Sequence, residues 1–358
     1  MIRAELRIDL AAIVANYRTL AARASGAQCA AMLKADAYGL GVAAVAPALV
    51  DAGCRVFFVA TPEEGRTLRT ILREAEVYVM TGYQAELREV YRAYRLRPVL
   101  NTLAEIEAWR DGPAAVYVDT GMNRLGLEAA EIKALLSDPD KIRFEVAILM
   151  SHLACADEPD HPMNKRQLAR FREIAEDLKA LPAFKAAALS LANSAGIFLG
   201  PDYHFDLVRP GIALYGGNPF ANRPNPMANV VEVHGRILQI RAVAAGDSVG
   251  YGATFTASRP SRIAIVDVGY ADGYLRAFSN KGSALIAGQR VPVVGRVSMD
   301  FLALDVTDIA PGQAEVGTAV NLLGGGLSLD EAAAASGLSC YELLTLLGRR
   351  YNRVYLNE

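Results

Sequence analysis

The sequence of 358 residues is poor in cysteine and histidine and carries almost balanced charge. Its four cysteines (Cys29, Cys54, Cys155 and Cys340) show no CxxC spacing, and its four histidines are scattered. Neither a disulfide framework nor a metal site is therefore predicted. Lysine and arginine number 37 against 39 acidic residues, so there is no basic surface of the kind that binds nucleic acid.

Long hydrophobic runs are also missing. No segment approaches the roughly 20 apolar residues that a membrane span requires. Residues 1–9 alternate charged and apolar side chains, which does not match the apolar core of a signal peptide. With free thiols expected of a reducing compartment, these features predict a cytoplasmic protein with a small-molecule substrate.

What the chain does have is hydrophobic residues, at 52% of the total, and a regular order of elements over its first part. Short apolar strand candidates alternate with amphipathic helices, which predicts an α/β fold with an N-terminal TIM-type (β/α)8 barrel over residues 9–225. A doubly wound open sheet is the alternative. The strand candidates are 29–33, 56–60, 77–80, 98–100, 114–118, 146–150, 187–191 and 205–208, and the helices include 41–51, 62–72, 85–93, 103–109, 129–136 and 163–181.

A second, mainly β domain is predicted for residues 226–358, joined by the N-terminal strand at residues 1–8. A segment rich in proline and asparagine at 218–226 marks the boundary. Beyond it, strand-like segments with intervening turns dominate. They are 231–243, 261–268, 284–294, 302–306 and 319–323, followed by two short helices at 329–335 and 341–347.

Lys34 lies where the first barrel strand ends. A lysine leaving an apolar strand is poorly solvated, which lowers its pKa and suits it to Schiff-base formation or proton transfer. The alternative is a lysine that merely extends from the strand end to water. Tyr38, four residues on, is either part of the same site or an ordinary packed tyrosine.

Polar residues follow the other strand candidates at the same end of the predicted barrel, where chemistry in this fold is located. They include Arg124, His152, Ser194 and Arg209. Ser194, Gly211, Ile212 and the Tyr38 phenol would supply donors for a phosphate, although Arg209-Pro210-Gly211 also fits a plain turn. A lysine together with a phosphate site suggests pyridoxal phosphate as cofactor.

Eight motifs in order give the chain a specific resemblance to the bacterial alanine racemases, a family of fold-type III pyridoxal phosphate enzymes. Each motif alone is a weak signal, but together they span nearly the whole chain. They are LKADAYG (33–39), DTGMNRLG (119–126), SHLA (151–154), NSA (193–195), RPGIALYG (209–216), YGAT (251–254), GYADG (269–273) and GRVSMD (295–300).

The resemblance implies a role for each residue. Lys34 would bind pyridoxal phosphate covalently and share proton transfer with Tyr251, which would come from the partner in a homodimer. The resemblance implies phosphate contacts for Tyr38, Ser194, Gly211 and Ile212, a place at the pyridine nitrogen for Arg209, and one beside the ring for His152. Arg124 and Met299 would bind the substrate carboxylate, and Tyr270 would line the substrate corridor.

Two positive side chains, His152 and Arg209, are expected to favour an ionised Tyr251, because a free phenol titrates near 10. Two positions depart from the family. Tyr117 replaces a lysine that is carbamylated in some members, so Arg124 must be positioned by this phenol or by an anion. Arg349 replaces a phosphate-contacting tyrosine and is either a phosphate contact or plain surface.

The predicted function is interconversion of L-alanine and D-alanine, which supplies D-alanine for peptidoglycan or serves alanine breakdown. Three alternatives remain at this point. A racemase of broad specificity would share most motifs, and a basic amino-acid decarboxylase would share the barrel and cofactor. A non-enzymatic pyridoxal phosphate carrier would lack the β domain that holds Tyr251, Tyr270 and Met299.

Overall fold

The computed structural model describes residues 4–24 and 26–357, which divide between two compact units. The barrel unit comprises Val14–Leu214 and Asn218–Met227, and the sheet unit comprises Met1–Ile13, Tyr215–Gly217 and Ala228–Glu358. Residues 1–3 of the predicted N-terminal strand lie outside the described residues. Within the described residues, no helix is both long enough and apolar enough to cross a membrane.

The strands are, in chain order, β1 (Glu5–Asp9), β2 (Gln28–Cys29), β3 (Ala31–Met32), β4 (Val56–Val59), β5 (Glu76–Val79), β6 (Arg97–Leu100), β7 (Ala114–Tyr117), β8 (Val146–Met150), β9 (Ala188–Ser190), β10 (Leu207–Val208), β11 (Val231–Val243), β12 (Ser248–Val249), β13 (Phe255–Thr256), β14 (Ser261–Val266), β15 (Ser283–Ile286), β16 (Gln289–Pro292), β17 (Leu302–Asp305), β18 (Ala319–Leu323) and β19 (Asn352–Leu356). The right-handed α-helices are α1 (Leu10–Arg23), α2 (Val42–Asp51), α3 (Pro62–Ile71), α4 (Arg88–Ala93), α5 (Leu103–Ala108), α6 (Ala129–Ser137), α7 (Pro162–Lys179), α8 (Leu329–Ser336) and α9 (Cys340–Thr345).

The barrel unit is built on parallel strands. Strands β3 to β9 form one sheet in chain order, and β10 pairs in parallel with β2. The N–H groups of Asp206 and Arg209 donate to the carbonyls of Leu189 and Ala192 at 3.0 and 2.9 Å, which joins β10 to the β9 side. Because one residue separates β2 from β3, these bonds close the ring. The predicted TIM-type barrel is confirmed.

The predicted (β/α)8 pattern expects a helix after every barrel strand. In the described residues, β9 and β10 are followed by 3-10 turns instead of α-helices. After β9 the chain makes two short 3-10 turns, Gly196–Leu199 and Pro201–Tyr203. Gly200 between them has φ +115° and is followed by proline, and both features interrupt a helix. A third 3-10 turn, Ile212–Tyr215, follows β10.

The sheet unit is mainly β, as predicted. Its strands run in the order β16-β15-β18-β11-β1-β19, and β14 pairs with both β11 and β17. The single strand predicted at 284–294 is wrong, because the chain reverses at Ala287 and Gly288, whose φ values are 50° and 79°. Two successive positive φ values fit a tight hairpin. The C-terminal strand β19 was not predicted and pairs in parallel with β1.

Candidate active site

The structure places eight of the predicted site residues just beyond the carboxyl ends of the parallel barrel strands. Such ends meet at one rim of a barrel. Lys34 and Tyr38 follow β3, Arg124 follows β7, and His152 follows β8. Ser194 follows β9, and the last strand, β10, is followed by Arg209, Gly211 and Ile212.

Lys34 begins a helical turn, Lys34–Tyr38, of unusual hand. Ala35, Asp36, Ala37 and Tyr38 all have φ close to +55°, which is the left-handed region. This conformation costs a residue with a Cβ roughly 1–2 kcal/mol. Two carboxylate oxygens hold the turn. Glu64, from outside the turn, accepts the Ala35 N–H through Oε1 at 2.8 Å. Asp36, within the turn, accepts the Val42 N–H through Oδ1 at 2.8 Å.

The pKa of the Lys34 amine is lowered, as predicted. Burial and the neighbouring Arg124 guanidinium lower the pKa of the Lys34 amine, and the Glu64 carboxylate opposes them. An amine with a lowered pKa is more often neutral and nucleophilic at pH 7. The expectation of a depressed lysine pKa is therefore confirmed in direction.

Ser194, Gly211 and Tyr38 meet after β9, β10 and β3. The buried Ser194 hydroxyl accepts the N–H groups of Gly211 and Ala213 at 2.8 and 3.3 Å. A Cβ placed on Gly211 would lie 2.3 Å from the Tyr38 Oη, so glycine is needed for this close approach. The φ of Gly211 is not in the left-handed region, which leaves space as the reason.

We expect Gly211→Ala to lower the free energy of unfolding by about 2 kcal/mol, the scale of an overpacked buried site. In a Tyr38→Phe background the nearest clashing atom is gone, so the same change should cost less than half as much. Urea denaturation of the four full-length chains measures both costs. Equal costs in the two backgrounds would show that the phenol oxygen is not what requires glycine here.

Arg209 is a buried cation whose described hydrogen bonds go to uncharged acceptors. Its guanidinium donates to the Ser190 hydroxyl and to the Ser151 carbonyl, and burial lowers its pKa to about 10. Arg209 therefore remains charged at pH 7.

His152 follows β8 and is surrounded by positive charge. Burial, Arg209, Arg124 and Lys34 lower the pKa of His152 to about 3. The imidazole is therefore neutral at pH 7, and the expectation that it carries positive charge toward Tyr251 is wrong. The physical reason is first burial, which disfavours the charged imidazole, and then the positive charges of Arg209, Arg124 and Lys34.

Tyr117 lies near Arg124, at the position where the family carries a lysine. Tyr117 is 3% exposed, burial raises the pKa of its phenol, and the Arg209 and Arg124 guanidinium groups oppose that rise. A Cβ on Gly126 would lie 2.4 Å from the Tyr117 ring, so this glycine leaves room for it. Asp119 Oδ1 accepts the N–H groups of Gly121, Met122 and Asn123 at 3.0–3.1 Å and so orders the loop that carries Arg124.

The other predicted residues lie in the sheet unit. Tyr251, Tyr270 and Met299 line one open cavity of about 510 Å³, and their side chains are 72%, 37% and 53% exposed. The N–H groups of Tyr270 and Ala271 donate to the carbonyls of Ser298 and Met299 at 2.9 and 3.0 Å, which brings these loops together.

Arg350, which sequence reasoning did not single out, supports the loops of this cavity. It pairs with Asp272 at 2.8 Å and with Asp300 at 2.7 Å. The neighbouring Arg349 is also exposed. Arg296 was also missed and lines the same cavity beside Gly252. A signal for Arg296 existed, since it stands in the GRVSMD motif.

Comparisons with known proteins agree with this arrangement. Family models described as the alanine racemase N-terminal domain and C-terminal domain match residues 8–219 and 230–355. An alanine racemase of Methylobacterium nodulans is 49% identical, with 99% of this chain and 96% of that protein covered. Two Agrobacterium fabrum proteins, named catabolic and biosynthetic alanine racemase, are 46% and 44% identical over 98% of this chain and 92% and 93% of their own.

A solved structure gives the same result. The crystal structure of the Bartonella henselae alanine racemase with covalently bound pyridoxal phosphate has a TM-score of 0.93 and 40% identity. The comparison covers 99% of this chain and all of that one. The resemblance drawn from the eight motifs is confirmed, and the chain belongs to the alanine racemase family.

Proposed function

We propose that this chain is a pyridoxal phosphate-dependent alanine racemase that interconverts L-alanine and D-alanine. The observation that carries the proposal is the match to proteins named alanine racemase over 99% of the chain. The geometry supports it, because Lys34 and the Ser194–Gly211–Tyr38 cluster lie at one rim of the barrel. Single-barrel carriers are disfavoured because the sheet unit is present.

The barrel rim fits an anionic cofactor. Lys34, Arg124 and Arg209 all act on His152, and the described hydrogen bonds of Arg209 reach no carboxylate. Such an excess of positive charge is balanced by a bound anion. Pyridoxal phosphate, when bound, supplies an aldehyde that condenses with amines and a ring that withdraws electrons from the α-carbon. Lys34 would hold it covalently, and Tyr38, Ser194, Gly211 and Ile212 would hold its phosphate.

Racemisation requires a proton to leave one face of the α-carbon and another to arrive at the opposite face, so two bases on opposite sides suit it. We assign one face to the Lys34 amine and the other to the Tyr251 phenol. Tyr251 is 72% exposed in a single chain, which suits a residue that enters the site of a second copy. Arg124, near Tyr117, would bind the substrate carboxylate with Met299, and Tyr270 would line the approach.

The test is to incubate the purified, cofactor-loaded protein with L-alanine and to follow D-alanine by chiral chromatography. We expect the two enantiomers to approach equal amounts, since they have equal free energy in water. L-serine, L-lysine and L-arginine in parallel reactions separate an alanine enzyme from a racemase of broad specificity. Absence of D-alanine, or release of carbon dioxide, would overturn the proposal.

Whether the enzyme makes D-alanine for peptidoglycan or breaks alanine down stays a prediction with two outcomes. Relatives named catabolic and biosynthetic are almost equally similar to this chain. Growth of a strain lacking the gene separates the roles. A requirement for added D-alanine indicates the biosynthetic role, and a failure to grow on alanine as carbon source indicates the catabolic one.

A further inference from the structure

Three glutamates make a similar set of contacts at the rim of the barrel unit. Glu64, Glu105 and Glu131 each occupy the third position of a helix, in α3, α5 and α6. All three are half-buried. A glutamate at this position normally caps its own helix by accepting N–H groups at the helix start. Here each side chain also crosses to the loop of the preceding strand-and-helix unit.

Each glutamate contacts its own helix start and also the unit that precedes it in the chain. Glu131 accepts the Glu128 N–H of its own cap at 3.0 Å and the Leu103 N–H of the preceding unit at 2.8 Å. Glu105 accepts the Asn101 N–H at 2.6 Å, and its other oxygen lies beside Gly82 in the loop after β5, where a Cβ would be 2.4 Å from it. Glu64 accepts the Ala60 N–H at 2.7 Å and the Ala35 N–H at 2.8 Å.

Only the Glu64 crossing, of these three, reaches the turn that carries Lys34. Ala35 directly follows Lys34 and is the first of the four residues with φ near +55°. Alanine has no preference for this conformation, so an acceptor outside the turn must hold its N–H in place. The Glu64 carboxylate is also the negative charge that acts on Lys34 against Arg124.

We propose that Glu64 is the positioning residue of Lys34: its carboxylate holds the left-handed turn and supplies the negative charge next to the amine. The proposal rests on the role assigned to Lys34 above. Glu64 itself is not assigned to proton transfer. Its two oxygens act by holding backbone N–H groups and by their negative charge. Glu131 makes the same kind of contact with the start of α5, which does not carry Lys34.

The experiment compares Glu64→Gln with the matched control Glu131→Gln in the full-length, cofactor-loaded protein. Glutamine keeps the length of the side chain but loses the charge and one of the two accepting oxygens. Hydrogen exchange followed by mass spectrometry reports on the turn without reference to activity. We expect amides in residues 34–39 to exchange about tenfold faster in Glu64→Gln and at the wild-type rate in Glu131→Gln.

The pH profile of kcat is the second measurement, because kcat reports the substrate complex, in which the Lys34 amine is no longer bound to the cofactor. Glu64 raises the pKa of Lys34, so its neutralisation lowers that pKa further. Since the neutral amine is the base, the rising limb of the profile should move to lower pH in Glu64→Gln only. We also expect kcat to fall about tenfold, because a displaced lysine meets the α-carbon less often.

Unchanged exchange in residues 34–39 together with an unchanged pH profile would overturn the role of Glu64. Equal changes in both variants would also overturn it, since they would reduce Glu64 to an ordinary helix cap. If the wild-type protein fails to racemise alanine, the proposed function fails, but the exchange rates still decide whether Glu64 holds the turn.

Discussion

A Lys34→Ala variant is expected to lose racemisation of alanine by at least about 10³-fold in kcat/KM. The change removes the amine that is proposed both to hold the cofactor and to carry the proton on one face of the substrate. A positioned acid–base group alone contributes about 10²–10⁴-fold. Initial rates in both directions, with D-alanine and L-alanine as substrates, measure the loss.

Lys133→Ala is the matched control, because Lys133 is exposed on α6 and should leave the rate unchanged. Full activity of Lys34→Ala would refute the central assignment. A Tyr251→Phe variant, inactive by itself, extends the test to the homodimer. Mixing it with Lys34→Ala should restore about a quarter of the wild-type rate if each site takes Lys34 and Tyr251 from different subunits, because half the dimers then hold one intact site.

An Arg350→Ala variant is expected to lose about 2 kcal/mol of unfolding free energy. The Asp272 side chain is 5% exposed, so removal of Arg350 leaves a buried carboxylate without its cation. Breaking a fully buried pair typically costs roughly 3–5 kcal/mol, and the expected loss is smaller because Arg350 is 47% exposed. Arg349→Ala, at an exposed neighbouring arginine, should cost less than about 0.5 kcal/mol.

The loss in Arg350→Ala should depend on pH with a defined sign. Burial raises the pKa of Asp272, and Arg350 opposes that rise. Without Arg350 the pKa is higher still, so the buried charge is removed as the pH falls through it. The gap in unfolding free energy between wild type and variant should therefore shrink from pH 7 toward acidic pH. A gap that stays constant would assign the loss to packing of the arginine stem.

The order of the barrel strands could be predicted because each one is a short apolar run. Strand β4 is Val-Phe-Phe-Val with all four residues buried, as expected of a parallel strand covered on both faces. Such runs can be recognised from the local sequence, without knowing which strand lies beside them. The same holds for the turn signals between the strands.

The left-handed turn at Lys34 could not be predicted, because residues 35–38 contain neither glycine nor asparagine. The acceptor that holds it, Glu64, comes from the next unit. Glu64 forms the capping box of α3 with Thr61, which is a local contact, but its second oxygen reaches Ala35 in another unit. Local propensity is overridden here by a contact between elements.

The protonation states of the site residues could not be predicted either, because they depend on burial and on which groups become neighbours in the fold. His152 was expected to be positive, but burial and the nearby charges of Arg209, Arg124 and Lys34 lower its pKa and keep it neutral at pH 7. Tyr117 was noted as a departure from the family, but the effect of Arg124 on its phenol depends on the folded loop. Residue types indicate which groups could take part, while burial and neighbouring charges determine their protonation.

The pairing of β1 with β11 and β19 affects the order in which the sheet unit can form. Glu5 lies opposite Asn352, about 350 positions later in the chain, and opposite His234 on the other side. During synthesis from the N-terminus, β1 is made first and has neither neighbour until residues 231–243, and later 352–356, have left the ribosome. Contacts of such high sequence separation form slowly. Folding of this sheet is therefore completed late, and until then the newly made β1 exposes an unpaired, half-apolar edge on which chaperones can act.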